Sequence, residues 1–193
     1  RFYGNHTARQ FLKKISEENR VGHAYLIYGE DGLGKKAFAE RFAQTILCKG
    51  FPKPCFCCLP CRKISQKTHP DVTWLLGGEG NSSLGRNSLH IEEIRRLRAD
   101  CQVKPNESEK KVYIITNVQN MTEGAFNAFL KTLEEPPSHA VFLLTAPNID
   151  RLAPTIVSRT VPIQLFPLSG EEMKEALSER FPDLPEGLRE TAA

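Results

Sequence analysis

No stretch of this 193-residue chain approaches the ~18–20 consecutive apolar residues that a membrane-spanning helix needs. No apolar segment near the start reads as a secretory signal either. Charge of one sign is also lacking: a net charge of +3 is nearly balanced, so composition alone does not argue for nucleic-acid binding. Cysteine is absent except at Cys101 and in a cluster, since five of the six cysteines fall between Cys48 and Cys61. That spacing disfavours a disulfide framework, which spreads its cysteines along the chain and belongs to oxidising compartments. A cytoplasmic, metal-binding protein is the expectation. Internal repeats and long low-complexity segments are missing too. The chain opens at Arg1 and closes in Pro/Glu/Leu-rich sequence, and is expected to be part of a longer protein.

What is present begins with an incomplete motif. Gly29-Glu30-Asp31-Gly32-Leu33-Gly34-Lys35-Lys36 fits the phosphate-binding pattern G-x-x-x-x-G-K-[ST] at every position but the last. In that motif the glycines let backbone N–H groups curl around phosphates, the lysine reaches the outer phosphates, and the hydroxyl holds Mg²⁺. Lys36 replaces the hydroxyl with a charge that attracts phosphate and repels the metal. The loop is therefore either a structural strand-to-helix turn or a weak ATP/ADP site.

Context supports the motif. A short apolar run, Ala24 to Tyr28, leads into the loop, and Lys35 to Leu47 carries Ala39, Phe42, Ala43, Ile46 and Leu47 on one side. Further apolar runs at Val72–Leu76, Val112–Ile115, Val141–Thr145 and Val161–Leu165 alternate with helical patterns. One of these places Ile91, Ile94, Arg98 and Cys101 together; another runs from Met121 to Leu133 and is stopped by Pro136-Pro137. A first helix is expected after Asn5, a good N-cap residue. Solid apolar strands alternating with helices predict an α/β fold with a five-stranded parallel sheet covered on both faces. Gly77–Ser88 reads as a flexible excursion, as does Lys104–Lys110. At Ser169 the pattern changes: a capped helix with Glu171 and Glu172 in its first turn predicts the start of a small helical lid over 167–193.

The stretch Asn127-Ala128-Phe129-Leu130-Lys131-Thr132-Leu133-Glu134-Glu135-Pro136-Pro137, with Ser158-Arg159-Thr160 and the cysteine cluster, resembles the bacterial clamp-loader subunits of the AAA+ class, which belong to the DNA polymerase III holoenzyme. The resemblance runs from about Phe2 to Leu168. It implies an AAA+ P-loop domain over 1–166, and a C-terminal collar domain that this chain does not include. Within the family the choice lies between the ATP-hydrolysing gamma/tau type and the delta prime type. Working members carry Asp-Glu where this chain has Thr116-Asn117, one acid for Mg²⁺ and one to orient the attacking water, so with Lys36 two metal ligands and a positioned base are missing together. Losing such a base alone typically costs ~10²–10⁴ in rate. The family's Ser-Arg-Cys pattern appears as Ser158-Arg159-Thr160, and the resemblance implies that Arg159 reaches into a neighbouring subunit's ATP site as an arginine finger, a role suited to a planar, permanently charged group. A surface arginine paired to a carboxylate is the competing reading. Thr145 matches a polar sensor position, but reads here as a strand-end hydroxyl bonded to backbone.

These features imply a delta prime-like subunit without ATPase activity of its own. Its expected partners are gamma/tau motor subunits, the delta subunit and the sliding clamp, with primed DNA reached through the assembled complex. The rival readings are an active gamma/tau-type ATPase and a stand-alone zinc-containing DNA-binding module. Cys48, Cys55, Cys58 and Cys61 offer four soft ligands to a structural zinc, and the family carries a four-cysteine zinc module at this place, expected here over about 48–61. Cys57 is surplus: it either replaces Cys58 or stands as a free thiol. His69 is expected to be a turn residue rather than a ligand, and Trp74 to pack in the sheet. Arg95, Arg96 and Arg98 are expected to form a solvated, salt-bridged face with Glu92, Glu93 and Asp100.

Overall fold

A computed structural model of the chain describes residues 3–18, 20–77 and 88–181. Most of the predicted excursion over 77–88 and the end of the predicted lid thus lie outside the described residues. Five strands form one parallel sheet: β1 (Ala24–Tyr28), β2 (Val72–Leu76), β3 (Lys111–Thr116), β4 (Ala140–Ala146) and β5 (Val161–Gln164), in the order β2-β3-β4-β1-β5. Every residue of β3 and β4 is buried, as expected where helices cover both faces. β2 and β5 are more exposed edges, and Pro162, which cannot donate to a ladder, sits on the edge strand β5.

Alternation along the strands divides the core in two. Leu26, Tyr113, Ile115, Phe142 and Leu144 point to one face and pack with α4 (Ile91–Cys101), α5 (Glu123–Glu134) and α6 (Pro154–Val157). Tyr25, Ile27, Val112, Ile114, Val141 and Leu143 point to the other, against α1 (His6–Glu18), α2 (Lys35–Leu47) and Ile64 of α3 (Leu59–Ser65). Aromatic rings consolidate both layers. Phe142 stacks on Tyr113 at 5.4 Å and meets Phe129 edge-on at 5.6 Å, while Phe42 lies 4.6 Å from Tyr25.

Several local details differ from the sequence reading. Met121 lies outside α5, in an isolated bridge to Leu89, because the Thr122 hydroxyl caps the helix by accepting the Ala125 N–H at 3.3 Å. Asn5 precedes α1 as expected, yet its side chain is turned to the far end of the chain. It donates to the Phe166 carbonyl at 3.0 Å and accepts the Phe166 N–H at 2.7 Å, tying the N-terminus to the exit of β5. Asp100 is exposed and ion-paired as expected, but its partner is the buried Lys111 ammonium at 2.9 Å, with the Tyr113 hydroxyl at 2.7 Å, and not an arginine of α4. Helix α7 (Gly170–Arg180) starts with the predicted cap, Ser169 and Glu172 each bonding the other's backbone N–H.

Candidate nucleotide cleft, exposed arginine and metal centre

Parallel strands deliver their C-terminal ends to one edge of the sheet, the usual place for a ligand in such folds. Here β1 delivers the glycine loop, β3 delivers Thr116-Asn117 and β4 delivers Thr145. Gly29, Gly32 and Gly34 have φ of 147°, 89° and 79°, which L side chains rarely adopt. At Gly29 space is also short, since an added Cβ would lie 2.4 Å from the Leu165 carbonyl oxygen. Lys35, the first residue of α2, is buried and folds back into the loop. Its ammonium donates to the Gly29 and Glu30 carbonyls at 2.7 Å each and meets Asp31 at 3.1 Å. Lys36 is half-buried, and burial, followed by repulsion from Lys67, holds its amine below the ordinary lysine range.

Asp31, Gly32, Gly34, Lys35, Lys36, Asn117, Gln119, Asn120 and Thr145 line a cleft of about 540 Å³. The polar groups from β3 and β4 are turned toward backbone. Thr116 Oγ1 accepts the Gly77 N–H at 3.1 Å, Asn117 Nδ2 donates to the Gly77 carbonyl at 2.8 Å, and Thr145 Oγ1 accepts the Asn117 N–H at 3.1 Å. These contacts lock the ends of β2, β3 and β4 together. Among the described residues no carboxylate except Asp31 lines the cleft, and Asp31 is engaged by Lys35. Its chemistry is that of an anion cradle with two lysines and no oxygen cage for a hard cation.

Arg159 does not line that cleft. It follows α6, and its Nη2 donates to Glu134 Oε1 at 2.9 Å while Nη1 reaches the Thr155 carbonyl at 3.0 Å and Ser158 Oγ at 3.3 Å. Both partners of the ion pair are substantially exposed, at 34% and 50%. The carboxylate pairing considered from sequence is thus present, through a glutamate of the stretch preceding Pro136-Pro137, and the guanidinium still faces solvent.

The cysteines resolve into four and one. Sulfurs of Cys48, Cys55, Cys58 and Cys61 all lie within 4.8 Å of one another; Cys57 is exposed and outside the group. Four thiolates ~2.3 Å from a zinc ion in a tetrahedron would sit ~3.8 Å apart, and Cys48 and Cys58 are separated by 3.8 Å. Backbone N–H groups of Gly50 and Cys55 point at Cys48 Sγ, and that of Cys58 at Cys55 Sγ, each at 3.3 Å. The Cys58 N–H, and then that of Cys57, pulls the Cys55 thiol down to about 6, whereas burial pushes Cys48 and Cys61 up. Gly50 leaves room for the turn, because a Cβ there would be 2.7 Å from Cys55 Sγ. These four cysteines can hold a metal ion. His69 is not among them: it is buried, with Nδ1 accepting the Asp71 N–H at 3.1 Å.

Sequence does not reveal α3, Glu134 as the partner of Arg159, or an anchoring role for Asp71, which reads only as too far from Glu92 and Glu93 to form an acid pair. The buried Asp71 carboxylate accepts the N–H groups of Asn106, Glu107 and Ser108 at 2.6–2.9 Å. The Thr68-His69-Pro70-Asp71 turn is a signal for it, but the donating loop lies more than 30 residues away.

Residues 4–169 match the family described as DNA polymerase III, delta subunit. The chain is 36% identical over 150 residues to DNA polymerase III subunit tau of Bacillus subtilis, covering 77% of this chain and 25% of that one. It is 33% identical over 172 residues to DNA polymerase III subunit delta' of the same organism, covering 89% and 50%. A gamma subunit-related protein of Thermotoga maritima, solved as a crystal structure, superposes with a TM-score of 0.62 at 26% identity, covering 90% of this chain and 52% of that one. The fold is the AAA+ P-loop fold, and the chain spans no more than about half the length of these relatives.

Proposed function

From the premise that the chain belongs to the DNA polymerase III delta-subunit family, we propose that it works as a non-hydrolysing, delta prime-type subunit of a bacterial clamp loader. One observation carries the reading: among the described residues the cleft around Lys35 has no free carboxylate, and Lys36 stands where the loop would place a hydroxyl, while Arg159 lies half-exposed outside it. A subunit arranged in this way lends a catalytic group and has no complete set of its own. The greater identity to tau does not favour a motor role, because Lys36, Thr116 and Asn117 replace the groups that would hold and use Mg²⁺.

In this reading residues 1–166 form the AAA+ domain and 167 onward begins a helical lid. The subunit assembles with gamma/tau, delta and the sliding clamp in the cytoplasm, and meets primed DNA through the complex. Zinc at Cys48, Cys55, Cys58 and Cys61 has a structural role, since a closed set of four thiolates leaves no open position for catalysis. Arg159, steadied by Ser158 and Glu134, moves onto a neighbour's nucleotide when the ring closes. Arginine fingers supplied in trans are worth ~10³–10⁵ in rate in GTPases.

Reconstitution with the family's motor subunits tests this. Arg159→Ala is expected to slow single-turnover ATP hydrolysis at the adjoining site by ~10³-fold, with assembly unchanged on gel filtration. Hydrolysis that persists at the wild-type rate overturns the proposal.

A further inference from the structure

The segment from Arg41 to Pro70 contains six of the chain's 26 Lys/Arg and none of its 23 Asp/Glu, leaving 20 against 23 elsewhere. All of the molecule's positive excess therefore resides in this one segment, which forms the second half of α2, the cysteine cluster and α3. Three of the chain's exposed large apolar side chains project from it: Phe51 at 89%, Phe56 at 50% and Leu59 at 55%.

This exposure is built into the turn. Phe56 sits at φ 58°, a conformation costly for an L residue, and its ring lies 4.7 Å from the Arg41 guanidinium. Backbone N–H···S bonds hold the turn on either side of Phe51, so the ring stands on a rigid knuckle. On the same segment Lys49 and Arg62 are exposed and Lys53 is half-buried, and among the described residues Lys49 reaches only the Glu107 carbonyl, at 3.5 Å. Lys63 is occupied by Glu107 at 2.6 Å and is left out of the surface.

We propose that this knuckle is a contact surface for single-stranded nucleic acid, with Phe51, Phe56 and Leu59 against unpaired bases and Lys49, Lys53 and Arg62 on the phosphates. Exposed rings next to cations are the usual means of holding a single strand, because every base has a face to stack and every linkage a negative charge. A duplex hides its base faces and offers the rings nothing. An acidic peptide would bring the right charge, but its apolar side chains need a groove. The cleft beside the knuckle, lined by Ile46, Leu47, Lys49, Lys53, Glu109 and Lys110 among others, measures about 230 Å³, below the ~300–1,000 Å³ of ordinary ligand pockets. Two negative charges from a zinc tetrathiolate would reduce the excess without reversing it. None of the knuckle residues lines the phosphate-loop cleft, so this surface and the role of Arg159 stand or fall separately.

Fluorescence anisotropy of the metal-loaded chain with a labelled 20-mer of thymidylate provides the test. Salt-sensitive binding is expected, with a slope near −2 for log affinity against log salt, about 0.7 for each of three phosphate contacts. Phe51→Ala should weaken binding by about five- to tenfold, and Lys53→Glu combined with Arg62→Glu by more than tenfold. Metal content and unfolding midpoint should be unchanged in each. Absence of binding at 50 mM salt overturns the proposal, as does equal affinity in these variants. Preference for a 20-base-pair duplex, or for an Asp/Glu-rich peptide bearing Phe, assigns the surface to another partner and also overturns it.

Discussion

At the scale of single residues, Lys35 and Lys36 show how one letter changes a site. Lys35 already satisfies its ammonium on two carbonyls and Asp31, so a phosphate must replace contacts worth about as much as those it makes. Lys36 puts a fixed cation where a working loop places a metal ligand, and neither Thr116 nor Asn117 can restore the lost negative charge. ATP or ADP is therefore expected to bind no more tightly with Mg²⁺ than with EDTA in titration calorimetry. A tenfold gain on adding Mg²⁺ would show that another group completes the metal site. Arg159 teaches a complementary lesson. Its pairing with Glu134 is exposed, and such pairs contribute ~0–1 kcal/mol, so little stability opposes its leaving Glu134 for a stronger partner.

Elements set the next constraints. Asp71 lies just before β2 and anchors the loop over 106–108. Burial alone would raise its carboxyl, but the donated N–H groups of Asn106, Glu107 and Ser108 outweigh that and hold it below the usual value of 3.8. The folded state thus prefers the ionised form. Its contribution is complete above the unfolded carboxyl's ~3.9 and is lost as pH falls through the lower folded value. Asp71→Asn is expected to cost about 2–3 kcal/mol at pH 7 in urea unfolding, with the gap to wild type narrowing below pH 4; a constant gap would contradict this account. The cysteine turn and α3 make a second such element, tied to α2 through Gln44, which donates to the Cys61 carbonyl at 3.1 Å and Ser65 Oγ at 2.8 Å. Metal analysis should find about one zinc per chain in wild type and in Cys57→Ser, and markedly less in Cys58→Ser, because only the latter removes a sulfur from the cluster. Equal loss in both would mean that Cys57 exchanges into the site.

Across the whole molecule, the two apolar layers share β1, β3 and β4, so neither face can open without exposing the other strand surface. Phe142→Ala on one face and Phe42→Ala on the other are each expected to cost ~3–5 kcal/mol and to shift one common transition by circular dichroism and fluorescence. Two separated transitions would show that the layers fold independently. Legibility followed the range of the interactions involved. Strand cores, the Lys35–Leu47 helix, the glycine loop and the Ser169 cap could be read along the chain because period, turn chemistry and capping act over a few residues. The four-cysteine set was readable for the same reason. Met121 fits the apolar period of a helix, but the Thr122 cap starts the helix after it. The pairing of Arg159 with Glu134, the Asp71 anchor and the Asn5–Phe166 tie were decided only by tertiary structure. Each depends on which of two adjacent atoms faces a partner from elsewhere in the fold, and that direction is set by packing. Sequence by itself determined an α/β phosphate-loop domain with Lys36 in place of the loop hydroxyl and a cysteine cluster; the folded chain decided that, among the described residues, Asp31 alone brings a carboxylate to the cleft and that Arg159 lies outside it.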